Sequence, residues 1–230
     1  MAKFYKVGGC IRDKLLGRPC RDIDYSVEAK AYNEMVSEIS ARGMKIVYEM
    51  EPYLTVKASC KGIVSDYVMC RKDGPYRDNR RPSEVQCGTL FDDLSRRDFT
   101  MNAIAEDENG HLIDPFGGVN DIRNKIIRCV GSVDRLKEDA LRLLRAIRFL
   151  ITLSDFSLNK EIEDALHDPT FIDLLKNISE DRQRDELEKC FKHDTLKTLY
   201  ILYKYPLIIQ HIFNNTNLWL KPTSEKIKKI

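Results

Sequence analysis

The sequence contains no apolar run long enough to cross a membrane. Its most apolar helical stretch, residues 141–153, is interrupted by three arginines, whereas a membrane-spanning helix needs about 20 predominantly apolar residues. The first five residues include Lys3 and do not begin the apolar core of a signal peptide. We therefore expect no membrane association and a cytoplasmic location.

The sequence also lacks any pair of cysteines at the C-x-x-C spacing, and it has only four histidines. Zinc ribbons and zinc fingers require such spaced ligands, so a structural zinc site is not expected. The odd number of cysteines argues against a disulfide framework and favours a reducing, intracellular compartment. The seven cysteines are Cys10, Cys20, Cys60, Cys70, Cys87, Cys129 and Cys190.

Neither sign of charge dominates the composition. The 38 basic and 36 acidic residues nearly cancel, which leaves a net charge of +2. A nucleic-acid-binding surface would therefore have to come from local clusters of basic residues. The 230 residues, of which 43% are hydrophobic, are enough to form the cores of one or two domains.

The hydrophobic pattern changes near residue 132. Before this point, short β-like runs alternate with Gly, Pro and Asp, and the short turns between them favour antiparallel strands. A helix is predicted between the first two strands, at 31–42. The predicted strands are 22–27, 44–48, 53–58 and 63–69.

After residue 132 the pattern predicts helices almost throughout. The first is a long helix at 133–153, and Pro169, Pro206 and Pro222 are expected to break those that follow. The apolar and aromatic run at 200–213 is interpreted mainly as a small helical core, with the face of a possible homodimer as the alternative.

Asp22 and Asp24 are separated by a single residue on a predicted strand. Side chains at positions i and i+2 of a strand share a face, about 6–7 Å apart at their Cα atoms. Two carboxylates in this arrangement can bind hard cations such as Mg²⁺. Asp66, on another predicted strand, could add a third carboxylate. The alternative is that all three are solvated surface acids.

A glycine turn lies about a dozen residues before the acidic pair. Gly8 and Gly9 follow a short apolar run, so the backbone there could approach a phosphate closely. Arg12 would add a donor for phosphate oxygens. By itself, Gly-Gly could be an ordinary turn, but the combination with Asp22 and Asp24 is less common and favours nucleotide chemistry.

Two further clusters combine charged and hydrogen-bonding groups. Residues 96–103 contain Arg97, Asp98 and Asn102, which could bind phosphate and ribose or form a salt-bridged helix end. Residues 138–149 have the pattern of a helix. There, spacings of three place an acid and two arginines along one face, where they could pair with a base edge or stabilise an exposed helix.

Taken in order, these segments resemble the motifs of class II tRNA nucleotidyltransferases, the CCA-adding enzymes, and of the related bacterial poly(A) polymerases. The resemblance covers about residues 4–192. The matching motifs are 7–13, 22–24, 96–103 and 138–142, with 178–187 as a later helical motif.

The resemblance implies an α+β fold in three parts. A polymerase-β-like nucleotidyltransferase head with a small, largely antiparallel sheet would occupy residues 1–131. An all-helical neck, with the base template and RNA contacts, would occupy 132–200. Residues 201–230 would be a truncated remnant of the body, because members of the family commonly run longer.

The resemblance also implies a role for each matched residue. Asp22 and Asp24 would hold Mg²⁺ or Mn²⁺, and Asp66 would be a third catalytic acid. Residues 72–82 match a loop linked to switching between C and A addition. The expected triphosphate and nucleotide contacts are Gly8, Gly9, Arg12, Arg97, Asp98 and Asn102. The expected base template is Glu138, Asp139, Arg142 and Arg145.

The implied activity is addition of C and/or A residues to the 3′ end of tRNA or tRNA-like RNA, from CTP and ATP, with release of pyrophosphate. A poly(A) polymerase or an enzyme that adds only A is the first alternative. A phosphohydrolase is a remote one, suggested by the HD dipeptides His167-Asp168 and His193-Asp194. A non-catalytic RNA-binding module is a third, which the intact acidic pair disfavours.

Overall fold

The protein is described from a computed structural model at residues 1–20, 22–74 and 83–214. Within these ranges the chain divides into two compact units, one up to Arg135 and one from Leu136. In the same ranges, no helix is both long and apolar enough to span a membrane.

The first unit is built on a seven-stranded mixed sheet. The sheet consists of β1 (Lys3–Val7), β2 (Asp24–Glu28), β3 (Lys45–Met50), β4 (Thr55–Cys60), β5 (Ile63–Met69), β8 (Ala105–Glu106) and β9 (Leu112–Ile113). The strand order is β3-β4-β5-β2-β1-β8-β9. Neighbouring strands are antiparallel except for β2 and β5, which run parallel. This confirms the predicted α+β class with a largely antiparallel sheet.

Shorter strands lie outside this sheet. Two of them, β6 (Arg71–Asp73) and β7 (Val85–Cys87), form an antiparallel pair. The strand β10 (Ile126–Ile127) follows later in the chain. The helices of the unit are α1 (Gly9–Leu15), α2 (Tyr32–Ala41), α3 (Leu90–Ser95) and α4 (Gly118–Arg123), and α5 (Arg135–Glu138) begins at its last residue.

Each face of the sheet has its own hydrophobic core. Phe4 of β1 and Val27 of β2 pack with Met35 and Ile39 of α2 on one face. On the other face, a second group of buried side chains surrounds Leu94 of α3. Because successive side chains of a strand alternate between faces, Asp24 and Ser26 of β2 belong to the face that α3 covers.

The second unit is mainly helical. Its only strand within the described residues, β11 (Ser157–Leu158), is two residues long. Nine of the twelve residues of α6 are buried, so this helix forms the centre of the unit. The helices are α6 (Leu141–Thr152), α7 (Lys160–Leu166), α8 (Pro169–Asp173), α9 (Glu180–His193), α10 (Thr195–Lys204) and α11 (Pro206–Ile209).

Three predicted elements differ from the structure. The strand predicted at 53–58 is observed at Thr55–Cys60, because Tyr53 ends a short 3-10 helix. The strand predicted at 22–27 begins only at Asp24, because Asp24 pairs with Val7, the last residue of β1, and the chain beyond Val7 turns away into α1. The long helix predicted at 133–153 is divided into α5 and α6. The side chain of Asp139 accepts a hydrogen bond from the Leu141 backbone N–H at 3.2 Å, which starts α6 anew.

Helix caps explain the HD dipeptides and two of the prolines. The side chains of Asp168 and Asp194 accept backbone N–H groups at the starts of α8 and α10, where aspartate is a preferred N-cap residue. Pro169 and Pro206 are the first residues of α8 and α11, where a proline has no hydrogen bond to lose. Pro222 lies outside the described residues.

Gly118 lets the start of α4 lie close to the backbone of Thr100, because a side chain at this position would collide with that backbone. A Cβ added at Gly118 would lie 2.1 Å from the carbonyl oxygen of Thr100. We expect Gly118→Ala to lower the free energy of unfolding by about 3 kcal/mol, because backbone must move to admit the methyl group. Urea denaturation would measure this loss.

Gly110→Ala is the matched control. Unlike Gly118, Gly110 has a positive φ, 84°, and a Cβ there meets no atom within 4 Å. Its cost should be only that of a left-handed backbone, about 1 kcal/mol. Equal losses for both variants would contradict the proposed steric role of Gly118.

Candidate active site

The glycine turn lies at the end of β1, beside the start of β2. Gly8 has a φ of 73°, and its backbone N–H donates to the Ile104 carbonyl oxygen at 3.3 Å. A Cβ at Gly8 would lie 2.9 Å from Nη1 of Arg97. Both the left-handed backbone and the close guanidinium therefore favour glycine at this position.

The acidic residues meet at the same edge of the sheet. Asp24 pairs in register with Val7 on one side and with Asp66 on the other, so the side chains of Asp24 and Asp66 leave the same face. Asp22 lies two residues before β2. Nζ of Lys57 is 3.1 Å from Oδ1 of Asp66, so the third predicted acid has a partial counter-charge.

Asp24 carries the electrostatic signature of this cluster. Desolvation raises the pKa of its carboxyl group, although the side chain is open to solvent on one side, and the negative charges of Asp66 and Asp22 raise it further. The positive charges of Arg97 and Lys57 oppose this shift. Repulsion between neighbouring carboxylates is the arrangement that a bound cation would relieve.

The donor set fits a hard cation that has other ligands besides protein. Carboxylate oxygens are the protein ligands that Mg²⁺ prefers, and Mg²⁺ is usually bound by one or two carboxylates plus substrate phosphates and water. Within the described ranges, no group of three or more His, Cys, Asp or Glu side chains is assembled to hold a metal. Asp22 and Asp24 are therefore candidate ligands, and Asp66 is a neighbour that is not joined to them in a preformed cage.

Arg97 is held under the glycine turn by a buried ion pair. Its Nη2 atom lies 3.1 Å from Oδ2 of Asp93 and donates to Oγ of Ser26 at 3.2 Å. Oγ of Ser26 donates to the same Asp93 oxygen at 2.7 Å. Burial acts to raise the pKa of Asp93, but the guanidinium groups of Arg97 and Arg96 outweigh it and hold this pKa below its ordinary value.

A second chain of hydrogen bonds positions Arg12. Its Nη1 atom donates to Oδ1 of Asn102 at 2.8 Å, and Nδ2 of Asn102 donates to Oδ1 of Asp98 at 3.0 Å. Asp98 and Asn102 are both buried. Asp98 and Asn102 are thus connected through Arg12 to the helix that follows the glycine turn. Nη1 of Arg97 also donates to the backbone oxygen of Asn102 at 3.3 Å.

The structure thus brings together most of the residues predicted for the head. Gly8, Arg12, Arg97, Asp98 and Asn102 form one connected network, and Gly9 begins α1 directly above it. Asp24 interacts electrostatically with Arg97. Of the loop predicted at 72–82, residues 75–82 lie outside the described residues.

The residues predicted as the base template lie in the second unit and are mutually braced. Nη2 of Arg182 donates to Oδ2 of Asp139 at 2.9 Å, and Nη1 of Arg142 donates to Oε2 of Glu138 at 2.9 Å. Arg145 packs its guanidinium group 5.8 Å from the ring centre of Phe149.

The helical spacing predicted for this group is only partly correct. Arg142 and Arg145 are three residues apart on α6, as predicted, but Asp139 precedes this helix. Asp139 is tied to it by its backbone, since the Arg142 N–H donates to the Asp139 carbonyl oxygen at 3.0 Å. The acceptor is therefore placed by a turn and by Arg182, not by a shared helix face.

Three residues that support the site were not predicted. Asp93 has a detectable signal, because it stands three and four residues before Arg96 and Arg97, the spacing of ion pairs on a helix. Arg182 lies in the helical motif 178–187, yet its pairing with Asp139 spans 43 residues. Ser26 has no signal, because only the sheet and α3 together bring it to Asp93.

The buried ion pair leads to a test of stability. Asp93→Asn should lower the free energy of unfolding by about 3 kcal/mol, because it leaves two guanidinium groups without their buried counter-charge. In the native protein this stabilisation is present at neutral pH and is lost as the pH falls below about 4, since the pKa of Asp93 is lowered on folding.

Urea denaturation at pH 7 and pH 3 would measure both effects. Asp92→Asn is the matched control, because it removes a neighbouring charge that only caps α3 and should cost about 1 kcal/mol. If Asp93→Asn were no more destabilising than Asp92→Asn, the buried pair would not be holding the site together.

Comparison with known proteins agrees with this geometry. The family model described as the poly A polymerase head domain matches residues 4–128. The CCA-adding enzyme of Geobacillus thermodenitrificans is 43% identical over 187 residues, which are 80% of this chain and 44% of that enzyme. The CCA-adding enzyme of Listeria innocua is 44% identical over 196 residues, 84% of this chain and 48% of that enzyme.

Solved structures share the fold. The CCA-adding enzyme of Bacillus stearothermophilus in complex with CTP has a TM-score of 0.76 and 37% identity, with 90% of this chain and 49% of that chain covered. The Thermotoga maritima CCA-adding enzyme complexed with tRNA has a TM-score of 0.76 and 29% identity, with 96% and 50% covered. The polymerase-β-like head followed by helices is thereby confirmed.

This chain spans about half the length of the curated relatives that it matches. The family model nevertheless covers more than half of the chain, and the solved structures cover both of its units. The chain therefore belongs to the poly A polymerase head-domain family.

Proposed function

We propose that this protein is a template-independent nucleotidyltransferase that adds C and A residues to the 3′ end of tRNA or tRNA-like RNA. CTP and ATP would be the substrates, and pyrophosphate would be released. The observation that carries this proposal is the meeting of the Gly8 turn, the braced Arg97 and the carboxylates of Asp24 and Asp66 at one edge of the sheet. The CTP and tRNA complexes of related enzymes support the same substrates.

The glycine turn and the two arginines would bind the triphosphate. Arg12 and Arg97 each have a guanidinium group fixed by hydrogen bonds to Asn102, and Arg97 is additionally fixed by Asp93. Arginine is suited to phosphate because its planar donors can contact two oxygens at once. Fixing these groups before the nucleotide arrives reduces the entropy lost on binding and aligns the reacting atoms.

Asp22 and Asp24 would hold Mg²⁺ or Mn²⁺ above this cradle. When bound, the metal would neutralise charge on the triphosphate and acidify the attacking 3′ hydroxyl group. The chain would contribute the two carboxylates at the end of the sheet and would keep Asp66 beside them. Because Lys57 already pairs with Asp66, we propose for Asp66 a smaller part in catalysis than for the other two acids.

Base selection is proposed for the second unit. Asp139 offers acceptor oxygens and Arg142 offers donors, and together these can pair with the edge of cytosine or adenine. Glu138 would hold Arg142 and Arg182 would hold Asp139, as their ion pairs indicate. Arg145, on the same helix, would support this group.

Product length provides the direct test of the activity. The protein would be incubated with Mg²⁺ and a tRNA that ends at its discriminator base, with CTP, ATP, UTP or GTP alone and with CTP and ATP together. Two added C residues with CTP alone and a completed CCA end with both nucleotides are expected. A long A tail from ATP alone would instead indicate a poly(A) polymerase, and no extension would contradict the proposal.

The acidic pair leads to a prediction with two readouts. Asp24→Asn should lower kcat about 1000-fold or more, because one carboxylate ligand is lost. In EDTA the same variant should have a higher Tm than the native protein, because the pKa of Asp24 is raised by desolvation and by Asp66, so removal of its charge relieves repulsion. Added Mg²⁺ should raise the Tm of the native protein but not that of Asp24→Asn.

Asp107→Asn is the matched control, because Asp107 belongs to the same unit but hydrogen-bonds within its own loop. It should keep the native activity and the Mg²⁺-dependent rise in Tm. Asp66→Asn should fall between the two variants in activity. A folded Asp24→Asn protein with near-native turnover would refute the proposed metal site.

The braced template leads to a prediction about fidelity. Arg182→Gln removes the charge that holds Asp139, so the ratio of kcat/KM for CTP over UTP should fall about 10-fold to 100-fold, the discrimination expected from one bidentate pair. Turnover with CTP should fall less than this ratio, because Arg182 acts through Asp139.

The control for this prediction lies on the same helix. Arg184 pairs with Asp181 at the surface, so Arg184→Gln should leave the ratio unchanged. An unchanged ratio in a folded Arg182→Gln protein would contradict the positioning role of Arg182. An unchanged ratio in Asp139→Asn would contradict the template role itself.

A further inference from the structure

A row of side chains crosses the sheet at the level of Asp24. Asp24 of β2 is in register with Asp66 of β5, and Asp66 is in register with Lys57 of β4. Lys57 is in turn in register with Tyr48 of β3. Residues in register on neighbouring strands have their side chains on the same face of the sheet. The row therefore reaches from the acidic residues to the edge strand β3, about 14 Å away at about 4.8 Å between strands.

A β-bulge brings Tyr48 to this face. Ile46, two residues earlier on β3, packs against the core that α2 covers, and an uninterrupted strand would direct Tyr48 to the same side. The register shifts between Ile46 and Tyr48, so that Tyr48 shares the face of Lys57 instead. Glu49 has the opposite orientation, since it accepts a hydrogen bond from the hydroxyl group of Tyr32 in α2 at 3.4 Å. Bulges commonly re-aim a side chain beside an active site.

The outer half of the row is accessible and has the chemistry of a single-stranded RNA site. Tyr48 is 58% exposed, so its ring is available to stack with a base. The side chain of Lys57 is 42% exposed, although its Nζ lies 3.1 Å from Oδ1 of Asp66. Proteins bind single-stranded RNA by stacking its bases on aromatic rings and by contacting its phosphates with cationic side chains.

The geometry of the proposed reaction favours this side of Asp24 for the RNA. The glycine turn follows β1, which neighbours β2 on the side away from β5, and the proposed triphosphate site lies there. In phosphoryl transfer the attacking and leaving oxygens are roughly in line across the phosphorus. If pyrophosphate leaves on the β1 side, the 3′ hydroxyl group must approach from the β5 side, over Asp66.

We propose that Lys57 and Tyr48 bind the last two nucleotides of the RNA that is extended. The terminal hydroxyl group lies at Asp24, beside Asp66. The phosphate on the 5′ side of the terminal nucleotide contacts Lys57, and the preceding base stacks on Tyr48. This assignment rests on the proposed function and adds to it the surface that receives the RNA. The ion pair with Asp66 holds Lys57 in the row before RNA binds.

Steady-state kinetics with CTP and tRNA tests the stacking contact. Tyr48→Ala should raise the KM for tRNA about 10-fold or more, because the stacking of one base is lost, and should leave the KM for CTP unchanged. Tyr48→Phe keeps the ring and should retain the native KM for tRNA. Tyr53→Ala is the matched control, because Tyr53 is 60% exposed on the short 3-10 helix Glu51–Tyr53, outside the row. Equal KM values for tRNA in Tyr48→Ala and Tyr53→Ala would overturn the proposal.

The salt dependence of tRNA binding tests the phosphate contact. Lys57→Gln should reduce the slope of log Kd against log salt concentration by about 0.7 to 1, the contribution of one phosphate contact. Lys3→Gln is the matched control, because Lys3 also pairs with an acid on the neighbouring strand, Glu28, but lies outside the row. The control should keep the native slope, and an unchanged slope for Lys57→Gln would contradict the proposed contact.

Photo-crosslinking locates the RNA without requiring turnover. The 230-residue protein would be irradiated, without CTP or ATP, with a tRNA that has 4-thiouridine at its discriminator position followed by a single C. Peptide mapping should place the crosslink at Tyr48. A crosslink at Tyr48 in a protein that adds no nucleotide would support this site and count against the proposed function. Normal CTP addition without a crosslink at Tyr48, or a dimer that Tyr48→Ala dissociates, would overturn the site and leave the proposed function standing.

Discussion

The arrangement of the site in the head depends on the buried carboxylate of Asp93. It accepts the hydrogen of Ser26 from β2 and ion-pairs with Arg96 and Arg97 at the end of α3. A buried charge is tolerated only when it is paired and hydrogen-bonded. Since Arg97 then lies where a side chain at Gly8 would stand, this one interaction fixes the sheet, α3 and the glycine turn relative to one another.

The neighbouring acids show the opposite balance of stability and function. Asp24 has a raised pKa, because it is partly desolvated and faces other carboxylates, with only partial compensation from Arg97 and Lys57. Such a cluster destabilises the protein without a ligand, and selection retains it where function requires it. Arg12 and Arg97 are held by hydrogen bonds to neighbouring residues, whereas Asp24 faces other carboxylates whose repulsion a bound cation would relieve. This contrast is consistent with the site proposed for a metal-bound triphosphate.

The second unit uses the same principle at the proposed base template. The acceptor Asp139 and the donor Arg142 are each held by an oppositely charged partner, Arg182 and Glu138. Arg148 and Glu186 add a further pair between α6 and α9, at 2.6 Å. These ion pairs tie the proposed template to a packed helix, and a rigid template can discriminate between bases better than one on a free side chain.

The sequence by itself determined the fold class and the family, because its motifs resemble those of the family in their order. It also predicted the acidic pair, the glycine turn and the proposed template from local spacing: a Gly-Gly step, an Asp-x-Asp step and arginines three apart. It also placed β5 correctly at 63–69. Only the tertiary structure decided that β2 begins at Asp24, because β1 offers no partner beyond Val7. It likewise decided that Asp139 stands before α6 and that Ser26 meets Asp93 across 67 residues. These contacts join segments whose separation along the chain carries no periodic signal, so they emerge only when the sheet and the helices pack.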